Sequence, residues 1–265
     1  MKLALPAVRF PTFRYLFGGI ALYLLFLICT APAWVVIWAW PKISPIPLTV
    51  QDSHGSLWRG VFEGVNAALP TGQNLQFDSV KWRLQPWNLL RAEFAAQVDL
   101  SGPQIQGKGI LAKSLFGGVK LRDVTASAPA SLLPMALPAL AIWNPAGTLD
   151  FTTAAFSYAG ADSSGKANVT WRQASLALSP VKPLGEYTLA VDAHDSAVHY
   201  QLNTVSGALQ LEGKGRWAAN GAPTFLGSAR AQPNYAAQLA DLMRLFGNAD
   251  PNGVVPLRYQ PPGSQ

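Results

Sequence analysis

The 265-residue chain has little of the chemistry on which disulfide-bonded domains, metalloproteins and most enzymes depend. Its single cysteine, Cys29, cannot form an intrachain disulfide, so any exported part must be held together by burial alone. Only 13% of the residues are charged, and three are histidine. No paired carboxylates, activated nucleophile or set of metal ligands emerges. We therefore predict no catalytic, cofactor-binding or metal site, and a protein that is not an enzyme.

The formal net charge of +6 is distributed unevenly along the chain. Three of the 20 basic residues, Lys2, Arg9 and Arg14, lie near the N-terminus, whereas all 14 acidic residues lie beyond Trp40. The rest of the chain carries a net charge of +3 from 17 basic and 14 acidic residues, with both signs interspersed. Such a surface forms no basic stripe, so we expect no nucleic-acid partner.

Residues 15–40 contain no charged, histidine or amide side chain. A helix needs about 20 apolar residues to cross the hydrocarbon layer, so this run predicts a single transmembrane helix. Basic flanks remain in the cytoplasm, which makes residues 1–14 a cytoplasmic tail and delivers the rest of the chain across the membrane. Pro32 predicts a kink near the far side.

A cleaved signal peptide is the alternative interpretation of the same segment. It has a basic start, an apolar stretch from Leu16 to Cys29, and a small-residue cleavage site at Ala31-Pro32-Ala33. The apolar run continues beyond Ala33, which is long for a signal peptide, so we expect the segment to be retained. In both cases the body of the protein is exported.

After the apolar segment, the sequence becomes proline-rich and then consists of short runs in which apolar and polar residues alternate. Residues 41–47 contain three prolines and predict a semi-rigid spacer. From residue 48 onward, short runs such as VKWRL and QVDL alternate apolar and polar residues, which is typical of half-buried strands. We predict a mainly β protein with an extended antiparallel β-sheet domain over residues 48–265.

Short blocks of sequence recur in the same order within this region. Gly55-Ser56-Leu57 is echoed by Gly147-Thr148-Leu149 and Gly207-Ala208-Leu209, and Val80-Lys81-Trp82-Arg83 is echoed by Val169-Thr170-Trp171-Arg172. Gln106-Gly107-Lys108-Gly109 returns as Glu212-Gly213-Lys214-Gly215. We interpret these blocks as two degenerate repeats, about 48–129 and 145–218, joined edge to edge in one curved sheet. Glycines within such strands predict bulges or bends.

Three segments depart from the strand pattern. Pro86–Leu90 predicts a single helical turn, and Asn234–Phe246 predicts a short C-terminal helix followed by a strand over Val254–Tyr259. Ser131–Asn144 is apolar but interrupted by two prolines, so it is too broken to span a membrane. It predicts a buried plug at one end of the sheet or, alternatively, an exposed apolar patch that dips into a membrane or binds a partner.

The few polar clusters in the sequence do not have the arrangement of a catalytic or metal site. In a continuous strand, Asp192 and His194 would face away from Asp195 and His199, so the four cannot converge on a metal. Ser53-His54-Gly55-Ser56 lacks the surroundings of a hydrolase nucleophile and reads as a turn. The tryptophans spread over the sheet indicate packing; the alternative is an apolar groove that holds a lipid chain.

Several of these blocks together resemble the type II secretion system protein N family (general secretion pathway protein N). The resemblance runs from about Leu22 and includes GSLWRG, VKWRLQPWNLL, QIQGKG and the terminal LMRLFGNADPNGVVPLRY. It implies a single-pass protein of the bacterial inner membrane, with a periplasmic β domain, that assists a machine exporting folded proteins through the outer membrane. The sheet is also similar to proteins of the AsmA type, which are associated with lipid handling. No motif with a named functional residue is present, so no site residue is carried over.

Two functions follow as expectations. The first is a non-enzymatic accessory or scaffold component of type II protein secretion, which offers sheet edges or end loops to other envelope subunits. The second is a membrane-anchored module that binds or transfers lipid. The expected partners are the inner-membrane bilayer and other secretion subunits, with a lipid ligand under the second function.

Overall fold

The computed structural model describes residues 12–69, 74–115, 117–218 and 221–259. Most of the predicted cytoplasmic tail lies outside these ranges. Two N-terminal helices, α1 (Thr12–Thr30) and α2 (Trp34–Ile43), precede the strands, and two short helices, α3 (Leu133–Ala136) and α4 (Ala240–Phe246), lie between strands. The strands are β1 (Leu48–Gly55), β2 (Arg59–Ala68), β3 (Asn74–Leu84), β4 (Glu93–Ser101), β5 (Gln106–Ser114), β6 (Val119–Pro129), β7 (Ala146–Tyr158), β8 (Ser164–Ser175), β9 (Gly185–His194), β10 (Ala197–Gly207), β11 (Leu209–Ala218), β12 (Thr224–Ala231) and β13 (Val254–Tyr259).

The 13 strands form one sheet in the order of the sequence, and each pairs antiparallel with the next. The prediction of a mainly β protein with a large antiparallel sheet is therefore confirmed. Because neighbouring strands run in opposite directions, their connections alternate between two ends of the sheet. We call the end with the turns after β1, β3, β5, β7, β9 and β11 the α1 end, and the opposite end the cap end.

Alternation along each strand gives the sheet one polar and one apolar face. On the polar face, the register aligns Asp99 with Lys108 and Lys108 with Thr125. On the apolar face, one row crosses ten strands from β4 to β13. Its members are Leu100, Gly107, Ala126, Phe151, Val169, Leu189, Leu202, Gly213, Gly227 and Leu257.

The N-terminal apolar run differs from the single helix expected over residues 15–40. It breaks at Pro32, which cannot donate a backbone hydrogen bond. The break is held against the sheet, because Ala33 N–H donates to the carbonyl of Gly55 (3.2 Å) and Leu57 N–H donates to that of Ala31 (2.8 Å). Within the described ranges, neither α1 nor any other helix combines the length and hydropathy that a bilayer span requires.

The second N-terminal helix, α2, lies on the apolar face of the first strands. Its Val36 and Ile37 pack with Phe62 and Val65 of β2. The segment 41–47, expected as a spacer, begins inside α2 and then folds back onto the sheet. The indole N–H of Trp40 donates to the carbonyl of Ile46 (2.7 Å), which fixes this return.

Several strand glycines have a role that the sequence analysis did not anticipate: they make room for aromatic rings. A Cβ added at Gly60 would lie 2.2 Å from Trp82 Cζ2, and one at Gly215 would lie 2.2 Å from the ring of Tyr200. A Cβ at Gly213 would lie 2.3 Å from Phe225. Rings that cover neighbouring glycines bury apolar area while keeping the strands closely paired.

In or next to each recurrent Gly-x-Leu block, a backbone carbonyl accepts a hydrogen bond from a tryptophan or tyrosine side chain of another strand. Trp82 Nε1–H donates to the carbonyl of Leu57 (2.9 Å), and Trp171 Nε1–H donates to that of Ala146, just before the second block (3.0 Å). Tyr187 O–H donates to the carbonyl of Leu209 in the third block (2.9 Å). Burial of the Tyr187 ring raises its pKa well above the ordinary value, because ionisation there would place a charge away from water.

The cap end closes over the largest buried cluster of the described chain. Leu239 and Leu242 pack with Leu184, Leu209 and Val255. Helix α4 is shorter than the predicted 234–246 helix, since Pro233–Tyr235 forms a separate 3-10 turn. The predicted turn after Leu84 is present as a 3-10 helix over Pro86–Arg91, and the predicted strand over Val254–Tyr259 is β13.

Candidate interaction surfaces

The densest polar cluster in the sequence lies on the β9–β10 hairpin. The strand is broken there by a two-residue turn, Asp195-Ser196, with φ of 50° and 57°. The turn brings Asp192 directly opposite His199. Asp192, His194 and His199 therefore share one face, so the arrangement expected from a continuous strand was wrong.

The contacts in this cluster are those of a surface network. Asp192 lies 3.3 Å from His194 Nδ1 and 3.4 Å from Lys166 Nζ, and the rings of His194 and His199 stack with centroids 4.3 Å apart. Desolvation raises the pKa of Asp192, but the hydrogen bond from His194 and the Lys166 ammonium together hold it below its ordinary value. In the part of the chain that the structure describes, no group of three or more His, Cys, Asp and Glu side chains is placed to hold a metal ion.

The third histidine, His54, lies on β1 far along the sheet from this cluster. Its Nε2 lies 3.2 Å from Asp52 Oδ2, and both side chains are about three-fifths exposed. Ser56 begins the turn to β2, where its N–H donates to the carbonyl of Arg59 (2.8 Å). The Ser53–Ser56 segment is thus the end of a strand and a turn.

A groove of about 580 Å³ lies across β4–β8, and its lining includes charged residues as well as Leu100 and Phe151. Its charges occur as opposite neighbours: Asp99 lies beside Lys108, and Asp150 forms an ion pair with Arg172. Because these charges neutralise one another, the groove does not concentrate either sign of charge. A second cavity, of about 420 Å³, lies between α2 and β1–β2 and is lined by apolar residues including Val36 and Phe62.

Most tryptophans of the sheet serve packing and backbone hydrogen bonding. Trp58 Nε1–H donates to the carbonyl of Ile28 at the end of α1 (2.9 Å), and Trp217 Nε1–H donates to that of Gly221 (3.0 Å). Trp143 stacks on Phe246, with centroids 5.5 Å apart. Trp87 differs, because it is 80% exposed.

Each edge of the sheet carries a local obstacle to pairing with a further strand. On β13, Asp250 accepts the N–H of Val254 with its side chain and donates its own N–H to the Val254 carbonyl (both 2.8 Å), while Pro256 has no N–H to offer. On β1, the Gly55 carbonyl is taken by Ala33.

The connection between β6 and β7 has both buried and exposed apolar residues at the cap end. Leu132 and Trp143 reach inward to the buried clusters. Met135, Leu137 and Ile142 face outward, with 40%, 56% and 78% of their surface exposed. The segment therefore closes the sheet with its inward residues and leaves an apolar surface in solvent with its outward ones. We call these three exposed residues the cap patch.

The chain is similar to known proteins over the length of the sheet. The model of a family described as type II secretion system (T2SS), protein N, matches residues 47–258, from just before β1 into β13. A protein of Aeromonas hydrophila described as type II secretion system protein N is 29% identical over 250 residues, which cover 90% of this chain and 93% of that protein. No solved structure matches.

Proposed function

Because the chain belongs to the type II secretion system protein N family, we propose that it is a non-enzymatic accessory component of type II protein secretion. In this proposal the protein is held at the bacterial inner membrane by its N-terminal apolar segment. Its sheet lies in the periplasm and offers the cap patch to another subunit. The observation that carries the proposal is this uncharged, exposed surface at the end of the sheet opposite α1.

The attachment to the membrane is supported by the surface of α1. Its apolar side chains are exposed to solvent, with exposed fractions of 71% for Leu22 and 63% for Phe26. The sheet does not bury them, whereas insertion into a lipid bilayer would. Retention of the segment is supported by Ala33, which is 2% exposed and pairs with Gly55. Cleavage there would detach α1 and free a buried chain end.

The proposed orientation predicts an active enzyme when alkaline phosphatase is fused after Gln265. The basic residues before α1 would stay in the cytoplasm, while the C-terminus would be exported. An inactive fusion made at the same level would contradict this topology. Amino-terminal sequencing of the mature protein that begins at Trp34 would contradict retention of α1.

The cap patch is suited to a subunit that offers its own apolar surface. Residues 128–148, which include the patch, contain no charged residue, so binding there should depend little on salt. The patch also stands away from α1, because β6 alone has 11 residues and spans about 36 Å at about 3.3 Å per residue. The sheet thus acts as a spacer between the membrane and the partner.

We expect the variant Leu137→Asp/Ile142→Asp to lose export while remaining folded and inserted. Charges at these exposed positions would face the partner's apolar surface without a counterion. The measurement is exoprotein released to the medium, against exoprotein retained in the periplasm, by a deletion strain carrying each variant. Leu226→Asp is the matched control, since Leu226 is 55% exposed on a strand far from the patch, and we expect it to restore export.

Three outcomes would overturn the proposal or a part of it. Normal release by the deletion strain, together with an altered outer-membrane lipid barrier, would favour lipid handling. Failure of folded His54→Ala, His194→Ala or His199→Ala to restore export would contradict a non-enzymatic role. Restored export by the Leu137→Asp/Ile142→Asp variant would remove the cap patch from the proposal.

A further inference from the structure

The α1 end of the sheet carries an exposed apolar surface that the proposed function does not use. Five residues from the connections and strand ends of β3–β6 form this surface, which we call the basal surface: Trp87, Phe94, Leu111, Leu115 and Val119. Their exposed fractions are 80%, 50%, 43%, 70% and 42%. Phe94 pairs with Lys113, and Lys113 pairs with Val119, so these side chains lie side by side on the apolar face.

The basal surface is what remains of the apolar face after other elements have covered it. Helix α2 covers the face over β1–β3, where Phe62 and Val65 are buried. The cap-end elements cover it at the opposite end, around Leu239 and Leu75. Nothing in the described chain covers Leu115 or Trp87, which leaves apolar area in water at one end.

The charges around the basal surface have one predominant sign. Residues 56–60, 83–94 and 112–120, which form the α1-end turns of β1–β6, contain five basic residues and one acidic residue. The acidic residue, Glu93, is 14% exposed and bound to Lys120. Arg59, Arg83 and Lys113 remain exposed. By contrast, the cap-end connections of β2–β7, residues 66–77, 100–107 and 128–148, contain no charged residue.

The chain joins the basal surface directly to α1. Trp58 donates its indole N–H to the carbonyl of Ile28 in the last turn of α1 (2.9 Å). On the other side, Trp58 lines one crevice together with Pro86 and Phe94. The exposed apolar helix and the basal surface are therefore continuous, and a lipid phase that received α1 would lie against this end of the sheet.

From this combination we infer that the basal surface rests on the membrane, in contact with the headgroup region of a bilayer that contains anionic lipid. Tryptophan and other amphipathic rings favour that region, and exposed arginine and lysine are attracted to acidic headgroups. A protein partner would also cover apolar area, but it would not explain why the surface adjoins α1 and is rimmed by cations. The inference rests on the membrane attachment in the proposed function, and it gives the sheet an upright position with the cap patch directed away from the bilayer.

Depth-dependent fluorescence quenching tests this position. The full chain with Cys29→Ser receives one cysteine, Leu115→Cys, labelled with an environment-sensitive fluorophore and reconstituted into vesicles of phosphatidylethanolamine and phosphatidylglycerol. We expect lipids carrying a nitroxide near the headgroup to quench the label strongly. The same label at Ile142→Cys, an equally open position in the cap patch, should keep its intensity.

The cations are tested with the same label. Arg59→Gln/Arg83→Gln/Lys113→Gln should reduce the quenching at Leu115, and replacing phosphatidylglycerol by phosphatidylcholine should reduce it in the unaltered protein. Unchanged quenching in both cases would contradict the role assigned to anionic lipid.

Three results would overturn the inference. One is a Leu115 label that lipid does not quench although a label on the native Cys29 is quenched, because α1 would then be in lipid and the basal surface free of it. Another is equal quenching at Leu115 and Ile142, which would mean that the sheet lies flat. The third is shielding of Leu115 only after other secretion subunits are added, which would assign the surface to a protein. Since these assays contain only this chain and lipid, they are independent of the export assay that tests the proposed function.

Discussion

Trp82→Ala is expected to lower the free energy of unfolding by about 3 kcal/mol, at the lower end of the usual range for a large aromatic residue because the ring is half-buried. The ring contacts Phe62, with centroids 4.4 Å apart, and covers Gly60. Its indole N–H also satisfies the Leu57 carbonyl. The measurement is the urea midpoint of the β-sheet circular dichroism signal of the full chain in detergent. Trp171→Ala, at the matching position of the second copy, should shift the midpoint in the same direction.

A double-mutant cycle identifies the glycine contact as the cause. Gly60→Ala alone should cost about 1–3 kcal/mol, since the three atoms nearest to the added Cβ all belong to the Trp82 ring, at 2.2–2.8 Å. In the Trp82→Ala background, the same change should cost almost nothing. Gly107→Ala is the control in another strand, where the nearest atom would lie at an ordinary 3.4 Å, and it should change stability by about 0.5 kcal/mol or less. Equal costs of Gly60→Ala in both backgrounds would show that the ring does not depend on the glycine.

Leu239→Ala is expected to cost about 2–5 kcal/mol, because Leu239 is 0% exposed and lies at the centre of the cap-end cluster. The lost methyl groups leave a cavity between α4 and the strands that carry Leu209 and Val255. The urea midpoint of the full chain measures the loss. The matched control is Leu245→Ala in α4, where the side chain is 60% exposed and the cost should stay within about 0.5 kcal/mol. Equal effects of the two substitutions would mean that α4 does not pack as described.

The strands were the most predictable part of the fold, and their partners followed from chain order. Alternation in runs such as VKWRL reports directly which side of a strand meets water, so β3 and β4 were recognisable from local sequence. In a sheet where each strand pairs with the next, no long-range pairing had to be guessed. The positions of the strand glycines could also be read from the sequence, but their function could not. Gly60, for example, makes room for the ring of Trp82, which lies on the next strand.

The N-terminal run shows where local reading is insufficient. Hydropathy alone does not distinguish residues that would enter a lipid bilayer from residues that pack on a sheet. Val36 and Ile37 pack on the sheet. Only the contacts of Ala33 with Gly55 reveal that the chain meets the sheet there. The signal that pointed to the break was Pro32, which the sequence analysis treated as a kink within one helix.

The candidate surfaces were predictable in part. The Ser131–Asn144 segment was identified as an apolar plug or patch from its composition, and the structure divides it into inward and outward residues. The His194–His199 arrangement was missed, because the two-residue turn at Asp195-Ser196 reverses the chain and changes which side chains share a face. The basal surface had no local signal, since Trp87, Leu115 and Val119 are far apart in sequence and reach the same end of the sheet only through the chain order of β3–β6.

The strict chain order of the 13 strands has a consequence for biogenesis. Each strand needs only its predecessor as a template, so loop closure between neighbours is short and little entropy is lost at each step. During synthesis, the hairpin of β1 and β2 can form beside α2 before β13 has left the ribosome. At each stage of synthesis, the most recently formed strand has one unpaired edge, and the next strand pairs with that edge. Once β13 has paired, Asp250 and Pro256 leave fewer backbone groups on its outer edge for a further strand to bond.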